Sequence, residues 1–261
     1  MSGDEVARAD DVSVIVAAHN EAERISSTLA ALARAFPDAE VWVADDGSTD
    51  ATPAIARAAG ARVVRSELTI GKGEMVTRAA RDALRETSSR ASARARVNKL
   101  SGTCMEQASA LSVDRGDDGP IFVLCDGDLG ESAASLAPLV DAVRREAGDL
   151  AVARFTRRVG GGVGLAVGFA RFAIRRGCGL RTQAPISGQR ALRARALERT
   201  LPFAHGFGME IGMTIDAVRA GMRVVEVELD LTHRATGRTL GGFVHRGLQL
   251  IDFARVYLAR R

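Results

Sequence analysis

Two aspartates separated by a single glycine follow an apolar run of the sequence. The run is Ile121 to Cys125, and Asp126-Gly127-Asp128 comes directly after it. Two carboxylates at the carboxyl end of a strand can jointly hold a hard divalent cation, and such a cation neutralises a diphosphate leaving group. A polar turn after a strand gives the same pattern, so the surrounding elements must decide between a metal site and a turn.

Polar residues also end two earlier predicted strands. His19-Asn20-Glu21 follows the run Val12 to Ala17, and the sequence DDGSTD, Asp45 to Asp50, follows the next apolar run. The carboxyl ends of parallel strands meet at one edge of a sheet, so these groups are expected near the aspartate pair, where they can hydrogen-bond a nucleotide's base and ribose. Asp50 is expected to cap the following helix, which leaves Asp46 as the ligand-facing candidate.

A lysine and a glutamate between glycines are further candidates for chemistry. Lys72 is one of only two lysines beside 34 arginines, and it lies in Gly71-Lys72-Gly73 at a predicted helix start. The spacing is not that of a P-loop, but a lysine there can balance a diphosphate; the alternative is a surface lysine. Glu210, in the segment GFGMEIGM, is predicted as a general base or a sugar-hydroxyl acceptor. The alternative is a structural pairing with an arginine, for which Arg190 is the candidate.

The apolar pattern predicts the elements that position these groups. Continuous β-branched runs are typical of strands buried on both faces, and apolar residues every three to four positions indicate helices. Their alternation predicts an α/β fold in a single domain, a mostly parallel sheet flanked by helices. The predicted strands are Val12 to Ala17, Val41 to Ala44, Arg62 to Arg65, Ile121 to Cys125 and Leu150 to Ala153, and the helices are Glu21 to Phe36, one from Asp50, Lys72 to Arg85 and Ser132 to Glu146.

The remaining segments are less regular. Residues 87–119 are rich in Ser, Ala and Arg and are predicted to form a flexible insertion. A glycine cluster at Gly160 to Gly164 precedes a helix that ends at Arg176, and later elements are a helix from Met209 to Ala220, a strand from Val224 to Leu229 and a helix from Phe243 to Arg260. The helix before Arg176 is expected to pack on the sheet, with contact to a lipid-phosphate acceptor as the alternative. The last helix is expected to face the core or a dimer partner rather than a membrane.

Charge is distributed unevenly along the 261 residues. Residues 1–150 carry 17 basic and 25 acidic side chains, whereas residues 151–261 carry 19 basic and 7 acidic ones. The acidic first part argues against binding to nucleic acid, which needs a basic surface. Three cysteines without CxxC spacing argue against disulfides and a zinc site, and no signal or membrane-spanning segment is evident, so a cytoplasmic location is expected, with peripheral membrane contact left open.

Several of these motifs together resemble the GT-A glycosyltransferases of family 2. The later part resembles glucosyl-3-phosphoglycerate synthases most closely, and its SGQRAL segment is also similar to polyprenyl-phosphate sugar synthases. The resemblance covers nearly everything outside residues 87–119. Its motifs are VSVIVAAHNEAERI, VADDGSTDAT, GKGE, LCDGDL, PISGQRAL, LPFAHGFGMEIG and THRATGR.

The resemblance implies a Rossmann-like GT-A fold, with a nucleotide-sugar half at residues 1–154 and an acceptor half at residues 155–261. It implies a role for each motif residue. The donor contacts would be Ala17, His19, Asn20, Glu21, Asp46, Asp126, Gly127 and Lys72. The ligands of Mg²⁺ or Mn²⁺ would be Asp126, Asp128 and His233, and the acceptor contacts would be Gly162, Arg190 and Arg234. The catalytic groups would be Asp128, Glu210 and Lys72.

The sequence departs from the synthases at the expected acceptor site. Phosphoglycerate synthases have an Arg and, two residues later, a Thr after the glycine cluster, where this chain has Val163 and Leu165. Polyprenyl-phosphate mannose synthases often have Gln two residues after the aspartate pair, where this chain has Gly130, which makes His233 the better third metal ligand.

The function expected from these residues is the metal-dependent transfer of a hexose from a UDP- or GDP-linked sugar. The acceptor would be phosphorylated, either a small molecule similar to phosphoglycerate or a polyprenyl phosphate. Two alternatives remain open at the level of sequence. They are a sugar-phosphate nucleotidyltransferase, which would release pyrophosphate, and a non-catalytic nucleotide-sugar-binding protein.

Overall fold

Seven strands form one sheet in the described part of the computed structural model, which comprises residues 12–100, 119–156, 165–231 and 252–260. The strands are β1 (Val12–Ala18), β2 (Glu40–Asp45), β3 (Arg62–Arg65), β4 (Ile121–Asp126), β5 (Leu150–Phe155), β6 (Arg190–Arg193) and β7 (Val224–Leu229). Their order across the sheet is β3-β2-β1-β4-β6-β5-β7. All neighbours pair in parallel except at β6, which is antiparallel to both β4 and β5.

Helices cover both faces of the sheet. They are α1 (Ile25–Ala35), α2 (Thr52–Ala58), α3 (Lys72–Leu100), α4 (Ala137–Arg144), α5 (Leu165–Cys178), α6 (Ala194–Thr200) and α7 (Met209–Arg219). Short 3₁₀ turns span Gly130–Leu136 and Gly206–Gly208, and residues 252–259 are helical. The predicted α/β fold with a mostly parallel sheet flanked by helices is therefore confirmed. No helix among the described residues is both long and apolar enough to cross a membrane.

The β1 strand shows why a continuous apolar run is needed at the centre of this sheet. Val14 and Val16 pack into a cluster with α1 and α4, whereas Ile15 packs into a second cluster with α3 and α7. Each of these side chains is at most 1% exposed, and burying an aliphatic side chain of this size is worth about 1.5 to 3 kcal/mol. Because both faces are covered, β1 cannot alternate apolar with polar residues.

The structure corrects four sequence predictions. The predicted helix end at Arg85 is wrong, because α3 continues to Leu100 through the first part of the predicted insertion. The helix predicted at Ser132 to Glu146 is a 3₁₀ turn followed by α4. Neither β6 nor α6 was predicted. The α5 helix packs its buried residues on α7 and on residues 252–260, rather than on the sheet.

The last predicted helix is described only over its final part. Phe253 and Val256 are buried against α5 and α7, which confirms a core position for this part of the helix. Leu258 is 66% exposed, and Phe172 of α5 is 53% exposed. The predicted contacts with a dimer partner or a membrane stay predictions.

The reversed direction of β6 adds a loop to the functional edge of the sheet. The carboxyl ends of the six parallel strands share one edge, and β6 starts at that edge because it runs the opposite way. Arg190 pairs with Leu124 of β4 on one side and with Val152 of β5 on the other. Residues 187–189 consequently lie beside the end of β4. Residue 154 is the predicted boundary between the two halves of the chain. The sheet contains strands from both halves, because β4 pairs with β6, and β5 pairs with β6 and β7.

Candidate active site

The turn after β4 is fixed by α1 and β1. Thr28 of α1 is fully buried; its hydroxyl donates to the Gly127 carbonyl and accepts the Gly130 N–H, each at 2.8 Å. The Gly127 N–H donates to the Ala17 carbonyl at 2.8 Å. A Cβ on Gly127 would lie 3.2 Å from that carbonyl oxygen, so a glycine suits this close approach to β1. The flanking carboxylates of the Asp126-Gly127-Asp128 motif therefore extend from a rigid turn.

The polar groups that follow β1 and β2 are linked to each other. The His19 ring donates from Nδ1 to the Asp46 carbonyl at 2.7 Å, since a carbonyl oxygen can only accept, and Asn20 Nδ2 lies 3.2 Å from His19 Nε2. The Asn20 amide oxygen accepts the Thr49 N–H at 2.8 Å, and the Asn20 backbone has a positive φ of 55°. These bonds hold the predicted donor contacts His19 and Asn20 against the loop after β2.

The Asp50 carboxylate joins that loop to the start of α2 and to the segment after β1. It accepts the Thr52 N–H at 2.9 Å and the Ala22 N–H at 3.1 Å. Partial burial tends to raise the pKa of Asp50, but the hydrogen bonds from Thr52 and Ala22 outweigh that effect and lower it. The N-cap of α2 is Ala51, so the predicted N-cap position of Asp50 is wrong by one residue, although the Asp50 carboxylate does accept the N–H of Thr52, the first residue of α2.

Asp46 faces the segment before α3 and is only 7% exposed. Its carboxylate accepts the Ile70 N–H at 2.7 Å and the Gly71 N–H at 3.0 Å. These bonds fix the Gly71 turn, whose φ of 100° favours glycine, and thereby fix the first residue of α3, Lys72. A nucleobase contact of Asp46 stays a prediction.

Lys72 bridges two carboxylates at the centre of the site. Its Nζ lies 2.7 Å from Asp126 Oδ1 and 2.8 Å from Glu210 Oε1, with the Lys72 side chain 27% and the Glu210 side chain 7% exposed. Burial by itself would lower the pKa of Lys72, but the charges and hydrogen bonds of the two carboxylates raise it above its ordinary value. The two carboxylates thus favour the charged form of Lys72 in this structure. The sequence predicted each of these residues as part of the site, and the structure places all three together.

The segment before β6 closes the same cluster from another side. Gln189 is 2% exposed, and its Nε2 donates to Asp126 Oδ2 at 2.7 Å. A Cβ on Gly188 would lie 2.7 Å from Asp126 Oδ2 and 2.8 Å from Lys72 Nζ, so a larger residue there would displace the ends of these two side chains. Gln189 is not among the site residues that the sequence predicts. Its only signal was its place in the SGQRAL motif, directly before the buried arginine.

Arg190 lies inside the protein, behind Glu210. It is 1% exposed, and it donates from Nε to the Ser187 carbonyl at 2.8 Å and from Nη1 to the Thr214 hydroxyl at 3.0 Å. Burial lowers the pKa of Arg190 to about 10. The negative charge of Glu210 acts in the opposite direction but does not outweigh the effect of burial. The partner predicted for Glu210 was Arg190, but Lys72 forms the ion pair. The acceptor contact predicted for Arg190 stays a prediction, at a residue that is below the surface.

The other predicted site residues differ in how the structure places them. Asp128 is partly exposed, and its carbonyl accepts a hydrogen bond from Arg24 Nη1 at 3.3 Å. The Glu21 N–H donates to the Thr52 hydroxyl at 2.8 Å. Gly162, His233 and Arg234 lie outside the described residues.

The donor set at the end of β4 fits a hard divalent cation. Within the described ranges, no group of three or more His, Cys, Asp or Glu side chains forms a complete metal site. However, Mg²⁺ is typically bound by one or two carboxylates together with water and substrate phosphates. Asp126 and Asp128 supply two such carboxylates, and Asp126 already accommodates a positive charge 2.7 Å away, the ammonium of Lys72.

The sheet order and this acidic edge are those of an open α/β fold whose ligands bind at the carboxyl ends of the strands. Residues 13–86 match the model of the family described as glycosyl transferase family 2. Undecaprenyl-phosphate mannosyltransferase of Micrococcus luteus is 29% identical over 264 residues, which cover 96% of this chain and 95% of the relative. The similarity to this relative therefore covers nearly the whole chain, whereas the family model matches residues 13–86.

Solved structures give the same result. Glucosyl-3-phosphoglycerate synthase from Mycobacterium tuberculosis, in complex with Mn²⁺, UDP and glucosyl-3-phosphoglycerate, is 26% identical with a TM-score of 0.65, covering 98% of this chain and 82% of that chain. The same enzyme with Mn²⁺, UDP-glucose and glycerol 3-phosphate has 26% identity and a TM-score of 0.66, covering 100% and 84%. The chain is therefore a glycosyltransferase of the GT-A fold that resembles family 2 enzymes, and the two alternative functions are set aside.

Proposed function

We propose that this glycosyltransferase transfers a hexose from a UDP- or GDP-linked sugar to a phosphorylated acceptor, with the help of Mg²⁺ or Mn²⁺. The observation that carries the proposal is the cluster of Lys72, Asp126 and Glu210 at the edge where β1, β2 and β4 end. A lysine and carboxylates at this edge are the groups that a diphosphate leaving group and its counter-ion require. In open α/β sheets this is also the edge at which ligands bind.

The donor would lie against the ends of β1 and β2. Ala17, His19, Asn20 and Glu21 would border the base and ribose, and the hydrogen bonds that tie His19 and Asn20 to the loop after β2 support this role by fixing their positions. Asp46 would either contact the base directly or serve the site indirectly, by positioning Lys72. Fixed polar groups lose little entropy when they bind a ligand, which favours a preformed donor site.

The leaving diphosphate would be neutralised from two directions. Lys72 would contribute its positive charge from the start of α3. Asp126, Asp128 and His233 would hold the divalent cation, which when bound supplies Lewis-acid stabilisation of the negative charge on the departing diphosphate. The neighbour structures with Mn²⁺ support this part of the proposal.

The acceptor would bind on the side of the arginine-rich second half. The names of the relatives include a polyprenyl phosphate and phosphoglycerate, and both are anionic phosphates. Gly162, Arg190 and Arg234 are the proposed contacts. A phosphate oxygen is already nucleophilic at neutral pH, whereas a hydroxyl acceptor needs a base, for which Glu210 is the candidate.

The test is a product assay with purified protein. UDP- and GDP-hexoses are incubated with phosphoglycerate, glycerol 3-phosphate or a polyprenyl phosphate, with and without Mn²⁺, and products are identified by mass. We expect a glycosylated acceptor together with UDP or GDP, and no pyrophosphate. Transfer at full rate without metal would contradict the metal-dependent mechanism, and a product formed only with a non-phosphorylated acceptor would contradict the acceptor class.

A pair of variants makes the assay specific for the aspartate motif. Asp128→Ala is expected to lower kcat/KM at least about a hundredfold, because metal-held charge stabilisation is worth several kcal/mol. Asp38→Ala is the matched control, since Asp38 is an exposed aspartate just before β2, at the opposite edge of the sheet. It is expected to leave the rate unchanged.

A further inference from the structure

The described part of the site already contains a cation that belongs to the chain itself. Lys72 Nζ lies between Asp126 Oδ1 at 2.7 Å and Glu210 Oε1 at 2.8 Å. Lys72 is the first residue of α3, and Glu210 lies in the first turn of α7, so the ammonium joins two helix starts to the end of β4. The ammonium therefore compensates the charge of one of the two carboxylates proposed to hold the metal.

The surroundings leave a cation little freedom to approach Asp126 elsewhere. The other carboxylate oxygen, Oδ2, accepts a hydrogen bond from the buried Gln189 at 2.7 Å. Gly188 packs so closely that its Cβ would lie within 3 Å of both the carboxylate and the ammonium. The Oδ1 side of Asp126 is thus the side on which this structure holds a positive charge.

Two cations on one carboxylate oxygen repel each other strongly at such distances. At about 4 Å, two unit charges interact by several kcal/mol in a partly buried site, and a dication doubles that repulsion. A half-buried carboxylate without any counter-charge is also costly. One cation beside Asp126 Oδ1 is therefore favourable, whereas a second cation at the same oxygen is opposed by the first.

We propose that Lys72 is an internal counter-cation of the metal site, which releases Asp126 when the divalent cation binds and keeps Glu210 as its partner. This inference rests on the proposed function, because it takes the end of β4 as the metal site. It has two consequences. Lys72 weakens metal binding to the nucleotide-free enzyme. A diphosphate, which offers the released ammonium a new partner, strengthens metal binding and is itself bound more tightly by the metal-loaded enzyme.

The test is a Mn²⁺ titration of the nucleotide-free protein, in which free Mn²⁺ is measured by electron paramagnetic resonance. We expect Lys72→Met to bind Mn²⁺ about tenfold or more tightly than the wild-type chain, since the competing charge is gone. If Lys72 merely shapes the aspartate, the variant will bind Mn²⁺ equally or more weakly, and either result overturns the proposal. Lys99→Met, a change of the same charge near the far end of α3, is expected to leave the affinity unaltered.

A second variant is the control for misfolding of Lys72→Met, because that change leaves the buried Glu210 carboxylate without its ammonium partner. Lys72→Met combined with Glu210→Gln removes both charges, and its fold is checked by circular dichroism. We again expect tighter Mn²⁺ binding than in the wild type, because the competitor at Asp126 is absent. Weaker or unmeasurable Mn²⁺ binding by the folded double variant contradicts the proposed exchange, in which the divalent cation takes the place of the Lys72 ammonium at Asp126.

A third measurement adds UDP to the same titration. UDP should tighten Mn²⁺ binding by a larger factor in the wild-type chain than in Lys72→Met, because only the wild type must also move an ammonium. An equal factor in both argues against the exchange. Because these titrations contain no sugar donor and no acceptor, they can fail while glycosyl transfer is observed, and they can succeed while every tested acceptor proves wrong.

Discussion

Asp46 illustrates how a residue can serve a site from inside the protein. Its carboxylate accepts two backbone N–H groups, those of Ile70 and Gly71, and it is almost fully buried. Those N–H groups have no strand or helix partner of their own, and they immediately precede Lys72. The position of the lysine therefore depends on the carboxylate at the end of β2.

Replacement of Asp46 should cost stability in a graded way. Asp46→Ala leaves two N–H groups without their acceptor, and hydrogen bonds to charged groups are worth about 1.5 to 3 kcal/mol each, so we expect a loss of about 3 to 6 kcal/mol in the free energy of unfolding. Asp46→Asn keeps one oxygen in the place of Oδ1, which accepts the Ile70 N–H at 2.7 Å and the Gly71 N–H at 3.1 Å, and should lose about half as much. Urea denaturation measures both values. Equal losses in the two variants would show that the carboxylate charge, rather than these acceptor contacts, is what matters.

At this scale, the sequence revealed the chemistry of single residues but not their contacts. Lys72 and Glu210 were predicted separately, on the basis of their glycine-rich neighbours, but the pair is 138 residues apart and nothing local indicates that they meet. Gln189 was missed for a related reason. A glutamine carries no charge and follows no periodic pattern, so its function becomes visible only when β6 brings it to Asp126.

At the level of elements, continuous apolar runs were the reliable signal. The ranges of β3 and β7 agree with the prediction, and β1 and β4 differ by a single residue at the end. In contrast, β6 has only four residues, two of them arginines, and its stability comes from long-range pairing with β4 and β5. The second part of α3 lacks an apolar stripe, so its Ser, Ala and Arg residues resembled a loop although Ala and Arg favour helices.

The start of α3 depends on a close contact that a glycine substitution can test. A Cβ on Gly73 would lie 1.9 Å from the Ala204 carbonyl oxygen, so Gly73→Ala must push the helix away from the segment before α7. We expect a loss of about 1 to 3 kcal/mol in the free energy of unfolding and a lower kcat/KM, because Lys72 moves with the helix. Thermal or urea unfolding and a transfer assay measure the two effects.

The α5 helix offers the matched control for that substitution. Gly168 is exposed, and its Cβ would meet nothing within 4 Å, so Gly168→Ala should stabilise the protein by up to about 1 kcal/mol through helix propensity alone. The same chemical change is thus expected to have opposite signs in the two helices. Similar effects at both positions would contradict the close packing of Gly73.

The charge distribution of the whole molecule predicts how salt affects catalysis. Residues 151–261 carry 19 basic and 7 acidic side chains, so an anionic acceptor should be attracted over some distance before it binds. We expect kcat/KM for the acceptor to fall several-fold between about 0.05 M and 0.5 M salt, as screening shortens that attraction. Initial rates at low acceptor concentration measure the effect.

Two double variants localise this attraction. Arg175→Gln with Arg176→Gln removes two exposed charges from α5, and Arg78→Gln with Arg85→Gln removes two exposed charges from α3, in the acidic half. The salt dependence should weaken in the α5 variant more than in the α3 variant. A salt dependence that is equal in both would assign the attraction to net charge and not to the basic half.

The position of β6 also has a consequence for how the chain is made. The only neighbours of β5 in the described sheet are β6 and β7, and both are encoded later in the chain. As synthesis proceeds, Leu150–Phe155 therefore leaves the ribosome before either of its partners exists, while the strands before it can already assemble. A nascent chain that pauses before Arg190 exposes this apolar strand to chaperones and proteases, at a stage when β1, β2, β3 and β4 can already pair with one another.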